Sequence, residues 1–230
     1  MPLLLNIDTA TAFASVGFSR RGELLGISVN EAQKEHAAFL QPAIRELAKR
    51  CGVAMAEIDG IALTIGPGSY TGLRVGLSSA KGLAYALGKP LVPVGTLEVM
   101  AHAAEMAWAQ SAEESPNGTP ALFCPMIDAR RNEVFTAIYA PGGLTVMEPR
   151  ALELNAETFD AYADDNLLIF SGDGHLKWKG TYNRDYARFL MIQHSVADLA
   201  VLAERKFAQQ GFGSLAYLQP TYLKEFHKNS

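Results

Sequence analysis

The sequence has little of what marks a disulfide scaffold or a membrane protein. It contains only two cysteines, Cys51 and Cys124, which lie far apart and outside any CxxC context. We therefore expect two buried free thiols in a reducing compartment. No apolar run approaches the roughly 20 residues that a membrane-spanning helix needs, and the N-terminus lacks the basic region of a signal peptide. These absences predict a cytoplasmic protein that does not enter a membrane.

The chain also lacks a strong charge of either sign. Its formal net charge is −4 over 230 residues, which disfavours a basic RNA-binding domain but leaves room for a local basic patch. Hydrophobic residues make up 49% of the chain and charged residues 19%. This balance suits a folded chain with a sizeable core, arranged as one large domain or two lobes.

The most specific pattern is a glycine-rich segment at 61–88, IALTIGPGSYTGLRVGLSSAKGLAYALG, which predicts a strand, a tight loop and a helix. Gly66, Gly68 and Gly72 suit a backbone that turns sharply or that another group approaches closely. A Walker motif is missing because no lysine follows Gly72, and a dinucleotide motif is missing because three residues separate Gly68 from Gly72. The loop is either a structural turn or an anion cradle, and the mismatches favour the turn.

The helix predicted after this loop has two different faces. One stripe of small and apolar residues predicts close packing against a sheet: Leu73, Gly76, Ala80, Leu83 and Leu87. The opposite stripe combines an aromatic residue, two cations and small residues: Arg74, Ser78, Lys81 and Tyr85, with Gly82 beside them. Because aromatic and arginine anchors are typical of protein interfaces, this stripe is either a solvated face or a docking surface.

Turn signals and periodicity divide the first half of the chain into strands and helices. A meander of three strands is predicted over 3–29. A helix follows, with an apolar stripe that runs from Leu40 to Cys51 and a stop at Gly52. After the glycine loop and its helix, a further helix rich in Ala and Met is predicted over 97–110.

The second half repeats this order weakly. MIDA at 126–129 parallels NIDT at 6–9, since both place an aspartate after a strand and before a tight turn. SGDG at 171–174 parallels the GPG of the glycine loop, and a last helix is predicted over 196–210 with Ser195 as its N-cap. The sequence therefore indicates an internal duplication.

A stretch rich in turn residues, SAEESPNGTP at 111–120, predicts a linker between two lobes. The N-terminal lobe (1–110) would carry the glycine loop. The smaller C-terminal lobe (121–230) would have a last segment able to pack back on the first lobe. Two lobes of duplicated meander-plus-helix units are the layout of the actin/hexokinase/Hsp70 (ASKHA) fold.

Five segments together resemble one bacterial family of that fold. They are IDTAT at 7–11, GPGSYTGLRVGLSSAKGLAYAL at 66–87, MIDARRNEVF at 126–135, SGDG at 171–174 and QPTYLK at 219–224. This combination is similar to the TsaB (YeaZ) family, the dimerisation subunits of the complex that makes threonylcarbamoyladenosine in tRNA. The resemblance implies a duplicated actin-like α/β fold, in which each of two lobes has a mixed sheet flanked by helices.

The resemblance also implies a partner subunit without catalytic activity of its own. Such a subunit would bind the catalytic subunit TsaD, with the ATPase TsaE joining them, in a complex that modifies the adenosine next to the anticodon in tRNAs reading A-starting codons. In the family two helices build the partner surface, and they map here to Glu35–Arg50 and Leu73–Leu87. The residues assigned to it are Arg74, Ser78, Lys81, Gly82, Tyr85, His36 and Leu40.

Cofactors are expected in the partners and not in this chain. The resemblance places ATP and metal in the partner subunits, brings tRNA to this chain through the complex, and implies a homodimer when the chain is isolated. The sister subunit holds metal with paired helical histidines four residues apart, whereas Leu40 follows His36 at that spacing. The remaining histidines show no ligand spacing: His102, His175, His194 and His227.

The first hairpin bears on ATP chemistry. ATPases of this fold wrap phosphate with a glycine in that hairpin, where this chain has Ala10 after Asp8, and a Cβ opposes close approach of phosphate. The alternative function class is nevertheless a stand-alone ATP-dependent enzyme of the fold, such as a small kinase. No Ser-His-Asp or Cys-His arrangement supports a protease.

Two aspartates in the second lobe have two interpretations. Asp128 and Asp173 are either metal ligands, as in the ATPases of this fold, or carboxylates that bond backbone amides in tight turns. Arg130 and Arg131 directly follow Asp128, which favours the turn. These arginines are either a solvated turn or a contact for tRNA or phosphate.

Overall fold

The computed structural model describes residues 1–30, 35–111, 115, 118–178 and 184–224. The helices of this part of the chain are α1 (His36–Cys51), α2 (Tyr70–Leu87), α3 (Thr96–Gln110) and α4 (Val196–Ala208). The strands are β1 (Leu3–Asp8), β2 (Ala14–Arg20), β3 (Glu23–Asn30), β4 (Gly60–Thr64), β5 (Leu91–Val94), β6 (Ala121–Asp128), β7 (Glu133–Ala140), β8 (Leu144–Glu153), β9 (Leu167–Ser171) and β10 (Ala187–Leu190). Residues 112–114 and 116–117 of the predicted linker, and His227, lie outside the described residues.

The two five-stranded sheets share one topology. The first has the order β3-β2-β1-β4-β5, and the second has the order β8-β7-β6-β9-β10. In each sheet the first three strands of the order are antiparallel neighbours, while the last two join the central strand in parallel. The same order with the same strand directions is what an internal duplication of the sequence predicts.

The first sheet is covered by helices on both faces. The central strand β1 is buried along its whole length, as expected for a strand between two helical layers. On one face, α1 and α2 pack against the sheet and against each other. On the other face, α4 crosses all five strands. Gly52 ends α1 with a left-handed φ of 64°, so the predicted helix stop is confirmed.

The second sheet has an aromatic core. Phe159, Phe170 and Trp178 meet edge to face with ring centroids 5.2–5.8 Å apart, an arrangement that aromatic quadrupoles favour. Phe189 of β10 stacks on Phe170 at 5.4 Å. These rings pack with the apolar side chains of β6, β7 and β9 to form a separate hydrophobic core.

The chain forms two compact units, and each gathers segments that are distant in sequence. The first comprises Met1–Val99 and Ser195–Thr221, and the second comprises Met100–His194 and Tyr222–Ser230. This division differs from the sequence-based boundary at 111–120 because α4 packs on the first sheet and α3 continues from the first unit into the second. Within the described residues, no helix combines the length and the apolar character that crossing a membrane requires.

Candidate interaction surface

The glycine loop is packed against the first hairpin of its own unit. The Ser69 amide donates a hydrogen bond to the Ala10 carbonyl oxygen at 2.7 Å. A Cβ added at Gly68 would lie under 3.0 Å from that carbonyl oxygen, and one added at Gly72 would lie equally close to the Thr9 carbonyl oxygen. The hairpin backbone therefore fills the space in front of these two glycines, and only residues without a side chain allow it to approach so closely.

Side chains of the hairpin tie this contact together. The Thr9 hydroxyl donates to the Gly72 carbonyl oxygen at 2.8 Å. Asp8 is 2% exposed, and its Oδ1 accepts hydrogen bonds from the Thr64 hydroxyl at 2.8 Å and from the Ala10 amide at 3.1 Å. Asp8 is thus held by the turn and by the neighbouring strand β4.

Two other segments support the loop from the side of Gly66. The Gly66 carbonyl oxygen accepts a hydrogen bond from the Thr96 amide at 2.9 Å. The Thr221 amide donates to the Ile65 carbonyl oxygen at 2.7 Å. Gly66 has a φ of 115°, a region that side chains oppose. The loop is therefore a structural turn that connects β4 to α2, fixed by the hairpin, by α3 and by the C-terminal segment.

The helix α2 begins at this loop and separates a buried face from an exposed face. Ser69 caps it, since its hydroxyl oxygen accepts from the Gly72 amide at 3.3 Å. The buried residues are Gly72, Leu73, Gly76, Leu77, Ala80 and Ala84. Leu83 and Leu87, which the sequence places on the same stripe, are half-buried. Small residues at the buried positions let α2 lie close to the first hairpin.

The exposed face of α2 carries the side chains that the sequence assigns to partner binding. Arg74, Ser78, Gly82 and Tyr85 are exposed, and Tyr85 reaches 81%. A Cβ built at Gly82 has no atom within 4 Å. Lys81 is half-buried, and its ammonium group donates to the Ala216 carbonyl oxygen at 3.3 Å. We call Arg74, Ser78, Gly82 and Tyr85 the α2 surface.

One end of the α2 surface is ordered by an aromatic contact. The Arg74 guanidinium lies 3.9 Å from the centre of the Tyr70 ring, within the range of a cation–π interaction. Stacking on a ring restricts the rotation of the arginine side chain.

Two residues assigned to the partner surface lie inside the unit instead. Leu40 is fully buried in the core beneath α1. His36 is 8% exposed, and its Nε2 lies 3.0 Å from the Thr11 carbonyl oxygen. Neither side chain contributes to the exposed surface of the free chain. The exposed side of α1 consists of other residues: Ala37, Ala38, Gln41, Pro42, Arg45, Glu46, Lys49 and Arg50.

In the second unit, both aspartates bond backbone amides. Asp128 Oδ1 accepts from the Arg130 amide at 2.6 Å, and Asp173 Oδ1 accepts from the Asp128 amide at 3.0 Å. Lys177 pairs with Asp128 at 2.7 Å, and this hydrogen-bonded ammonium group lowers the pKa of the Asp128 carboxyl. In the part of the chain that the structure describes, no cluster of three His, Cys, Asp or Glu side chains could hold a metal ion.

The second cysteine lies in the hydrophobic core of the second unit. Cys124 is fully buried, and burial strongly raises the pKa of its thiol because a thiolate would lose its hydration. Since the thiolate is the nucleophile, burial disfavours the reactivity of this residue.

The fold and these sites define a class of protein: an α/β chain of duplicated actin-like design whose first hairpin packs into its own glycine loop. A solved structure of the ethanolamine utilization protein EutJ from Carboxydothermus hydrogenoformans shares the fold with a TM-score of 0.50 and 11% identity, over 88% of this chain and 90% of that one. The actin-like fold predicted from the sequence is confirmed.

The comparisons also identify the family. The model of the TsaD family, tRNA N6-adenosine threonylcarbamoyltransferase, matches residues 19–228. The tRNA threonylcarbamoyladenosine biosynthesis protein TsaB of Haemophilus influenzae is 38% identical over 134 residues, which are 57% of this chain and 51% of that protein. YeaZ from Pseudomonas aeruginosa superposes with a TM-score of 0.78 and 28% identity, over 97% of this chain and all of that one.

The chain belongs to the family that the tRNA N6-adenosine threonylcarbamoyltransferase model describes, and it is similar to the TsaB and YeaZ proteins. The resemblance carried by the five sequence segments is thereby confirmed. The matched region spans about half the length of the curated relatives, 51% of the Haemophilus influenzae protein and 54% of that from Bacillus subtilis.

Proposed function

We propose that this chain is a partner subunit in the synthesis of threonylcarbamoyladenosine in tRNA. It binds the catalytic subunit TsaD, TsaE joins the pair, and tRNA reaches this chain through the complex. The chain organises the transferase and does not catalyse the transfer itself. Membership of the family that the threonylcarbamoyltransferase model describes, together with the similarity to TsaB, supports the pathway, and the geometry of α2 supports the mode of action.

The observation that carries the proposal is the α2 surface. Tyr85 is 81% exposed on a helix whose other face is packed into the core. Covering an aromatic side chain of this kind contributes roughly 2 kcal/mol to association. Ser78 and the open position at Gly82 lie one helical turn apart, so a partner helix can approach the backbone of α2 closely.

The alternative, a stand-alone ATP-dependent enzyme, has less support. Ala10 contacts the loop with its backbone at the place where a phosphate-wrapping hairpin needs a glycine and open space. Asp8 accepts hydrogen bonds from Thr64 and from the hairpin. The residues present do not fit a nucleotide phosphate, so we place ATP and metal in the partner subunits.

The experiment that tests the proposal is a calorimetric titration of the chain with TsaD. Replacing Tyr85 with Ala should weaken binding by about 30-fold, the loss of about 2 kcal/mol of burial. The control is Leu144→Ala, since Leu144 is also an exposed apolar side chain, at 71%, but lies in the second unit. Equal affinities for the Tyr85 variant and the unmodified chain would place the partner elsewhere.

The same preparation decides between the two function classes. The isolated chain should not bind MgATP and should not hydrolyse it at enzymatic rates. Turnover of order 1 per second or faster would establish the stand-alone enzyme instead.

A further inference from the structure

The turn between β6 and β7 carries two arginines that the α2 surface does not use. Arg130 and Arg131 are consecutive and exposed, with φ values of 68° and 49°. Non-glycine residues seldom adopt this left-handed region, and hairpin turns that require it select glycine or asparagine. The backbone of this turn therefore gives no reason for two arginines.

Neighbouring side chains hold the turn in this conformation. The Lys177 ammonium group donates to the carbonyl oxygens of Arg131 and Glu133, both at 2.7 Å. Lys224 donates to the Ala129 carbonyl oxygen at 3.3 Å. Two ammonium groups from separate segments thus bind alternate carbonyl oxygens along the turn. A strained conformation persists only where its surroundings fix it in this way, and such positions are concentrated at functional sites.

Two of the carboxylates next to the turn are paired with lysines. Asp128 pairs with Lys177, and Glu133 pairs with Lys224. Neither arginine side chain hydrogen-bonds to a residue that the structure describes, and both are exposed on a chain whose net charge is −4. Arg130 is close enough to Asp128, and Arg131 to Glu133, for a coulombic attraction. Together with Asp173, whose carboxylate accepts from the Asp128 amide, three carboxylates face two arginines and two lysines, so the turn is a local, rigid site with an excess of one positive charge.

We propose that this turn binds the phosphodiester backbone of a nucleic acid through the guanidinium groups of Arg130 and Arg131. Arginine matches phosphate with a planar fork of donors that lysine lacks. Two adjacent forks suit neighbouring phosphates of one strand and fix its position without reading its sequence. The choice of a nucleic acid among phosphate-bearing partners rests on the proposed function.

The test measures binding of an unmodified tRNA transcript to the full chain by fluorescence anisotropy between 50 and 200 mM salt (about the range in which phosphate contacts are weakened). The double variant Arg130→Gln, Arg131→Gln should bind about tenfold or more weakly at the lower salt. Its slope of log affinity against log salt should fall by about 1–2, because each lost phosphate contact removes about 0.7–0.9.

The chain supplies a matched control in the first unit. Arg20 ends β2 and Arg21 begins the β2–β3 turn, where it is also left-handed with a φ of 61°. Arg20→Gln with Arg21→Gln removes the same charge and should leave affinity and slope within about twofold. Equal losses in both double variants, or no binding of tRNA by the unmodified chain, would overturn the proposal.

Two further measurements separate this site from folding and from the partner surface. Arg130→Gly with Arg131→Gly should melt no lower than the unmodified chain, since glycine suits both φ values, yet bind tRNA as weakly as the Gln pair. In calorimetry the Gln pair should bind TsaD as tightly as the unmodified chain does. A failure of TsaD to bind the α2 surface is therefore measured independently of tRNA binding. The unmodified chain could instead bind phosphatidylserine vesicles more tightly than tRNA, and the Gln pair could abolish that binding. This result would show that the turn binds a membrane and not a nucleic acid.

Discussion

The Thr9 hydroxyl donates a hydrogen bond to the Gly72 carbonyl oxygen at 2.8 Å, and this contact joins the first hairpin to the first turn of α2. The same hydroxyl oxygen would lie under 3.0 Å from a Cβ added at Gly76. The first hairpin is thus packed directly against the helix. The exposed side of that helix is therefore held rigidly in position.

This joint predicts opposite effects for two glycines of α2. Gly76→Ala should destabilise the chain by about 1–3 kcal/mol, because the new methyl group displaces Thr9 from a packed contact. Gly82→Ala should stabilise it by about 0.5–1 kcal/mol, because alanine favours a helix and nothing lies within 4 Å of its Cβ. Urea unfolding of both variants measures the difference, and equal effects would show that the two positions have similar surroundings.

The α2 surface also predicts self-association of the isolated chain. Without its partner, the surface is best covered by the same surface of a second copy in a two-fold contact. Sedimentation at tens of micromolar, about the range of weak dimers, should show dimers. Tyr85→Arg should produce monomers because it places two like charges in the contact. A purely monomeric unmodified chain at that concentration would contradict this prediction.

Acid should weaken the second unit through the Asp128–Lys177 pair. The hydrogen bond from Lys177 lowers the pKa of Asp128, so the pair contributes stability above the ordinary carboxyl pKa of about 4 and loses it as pH falls through the lower, folded-state value. Asp128 is about half exposed, which limits the effect to under about 1 kcal/mol. Melting curves from pH 7 to pH 3 should show a smaller loss for Lys177→Met than for the unmodified chain.

Local signals predicted the first half of the fold well. The meander, the stop at Gly52 and the strand-loop-helix around Gly66 are found as the sequence indicated, because each rests on turn chemistry or helical periodicity. The N-cap at Ser195 is found as well, where the Ala197 amide donates to its hydroxyl oxygen at 3.1 Å. These features depend on neighbours within a few residues, which a sequence displays directly.

Features that depend on long-range packing were not predicted. The strand β5 is only four residues long and contains Pro93, and β8 is mostly exposed and contains Pro149, so neither shows a strand pattern. Leu40 and His36 were assigned to the partner surface because the family builds that surface from this helix. The burial of their own side chains did not enter the assignment. Whether α4 covers the first or the second sheet depends on tertiary contacts that no local pattern specifies.

The central claim is that α2 presents one face to the core and the opposite face to a partner. Its most direct test compares Ser78→Trp with Gly76→Trp by thermal melting and by calorimetric titration with TsaD. Ser78→Trp should melt like the unmodified chain but lose several kcal/mol of binding, the magnitude of an interface hot spot, because the indole holds the partner helix away. Gly76→Trp should unfold the first unit by overpacking. If Ser78→Trp binds TsaD normally, or melts as low as Gly76→Trp, the two faces of α2 are assigned wrongly.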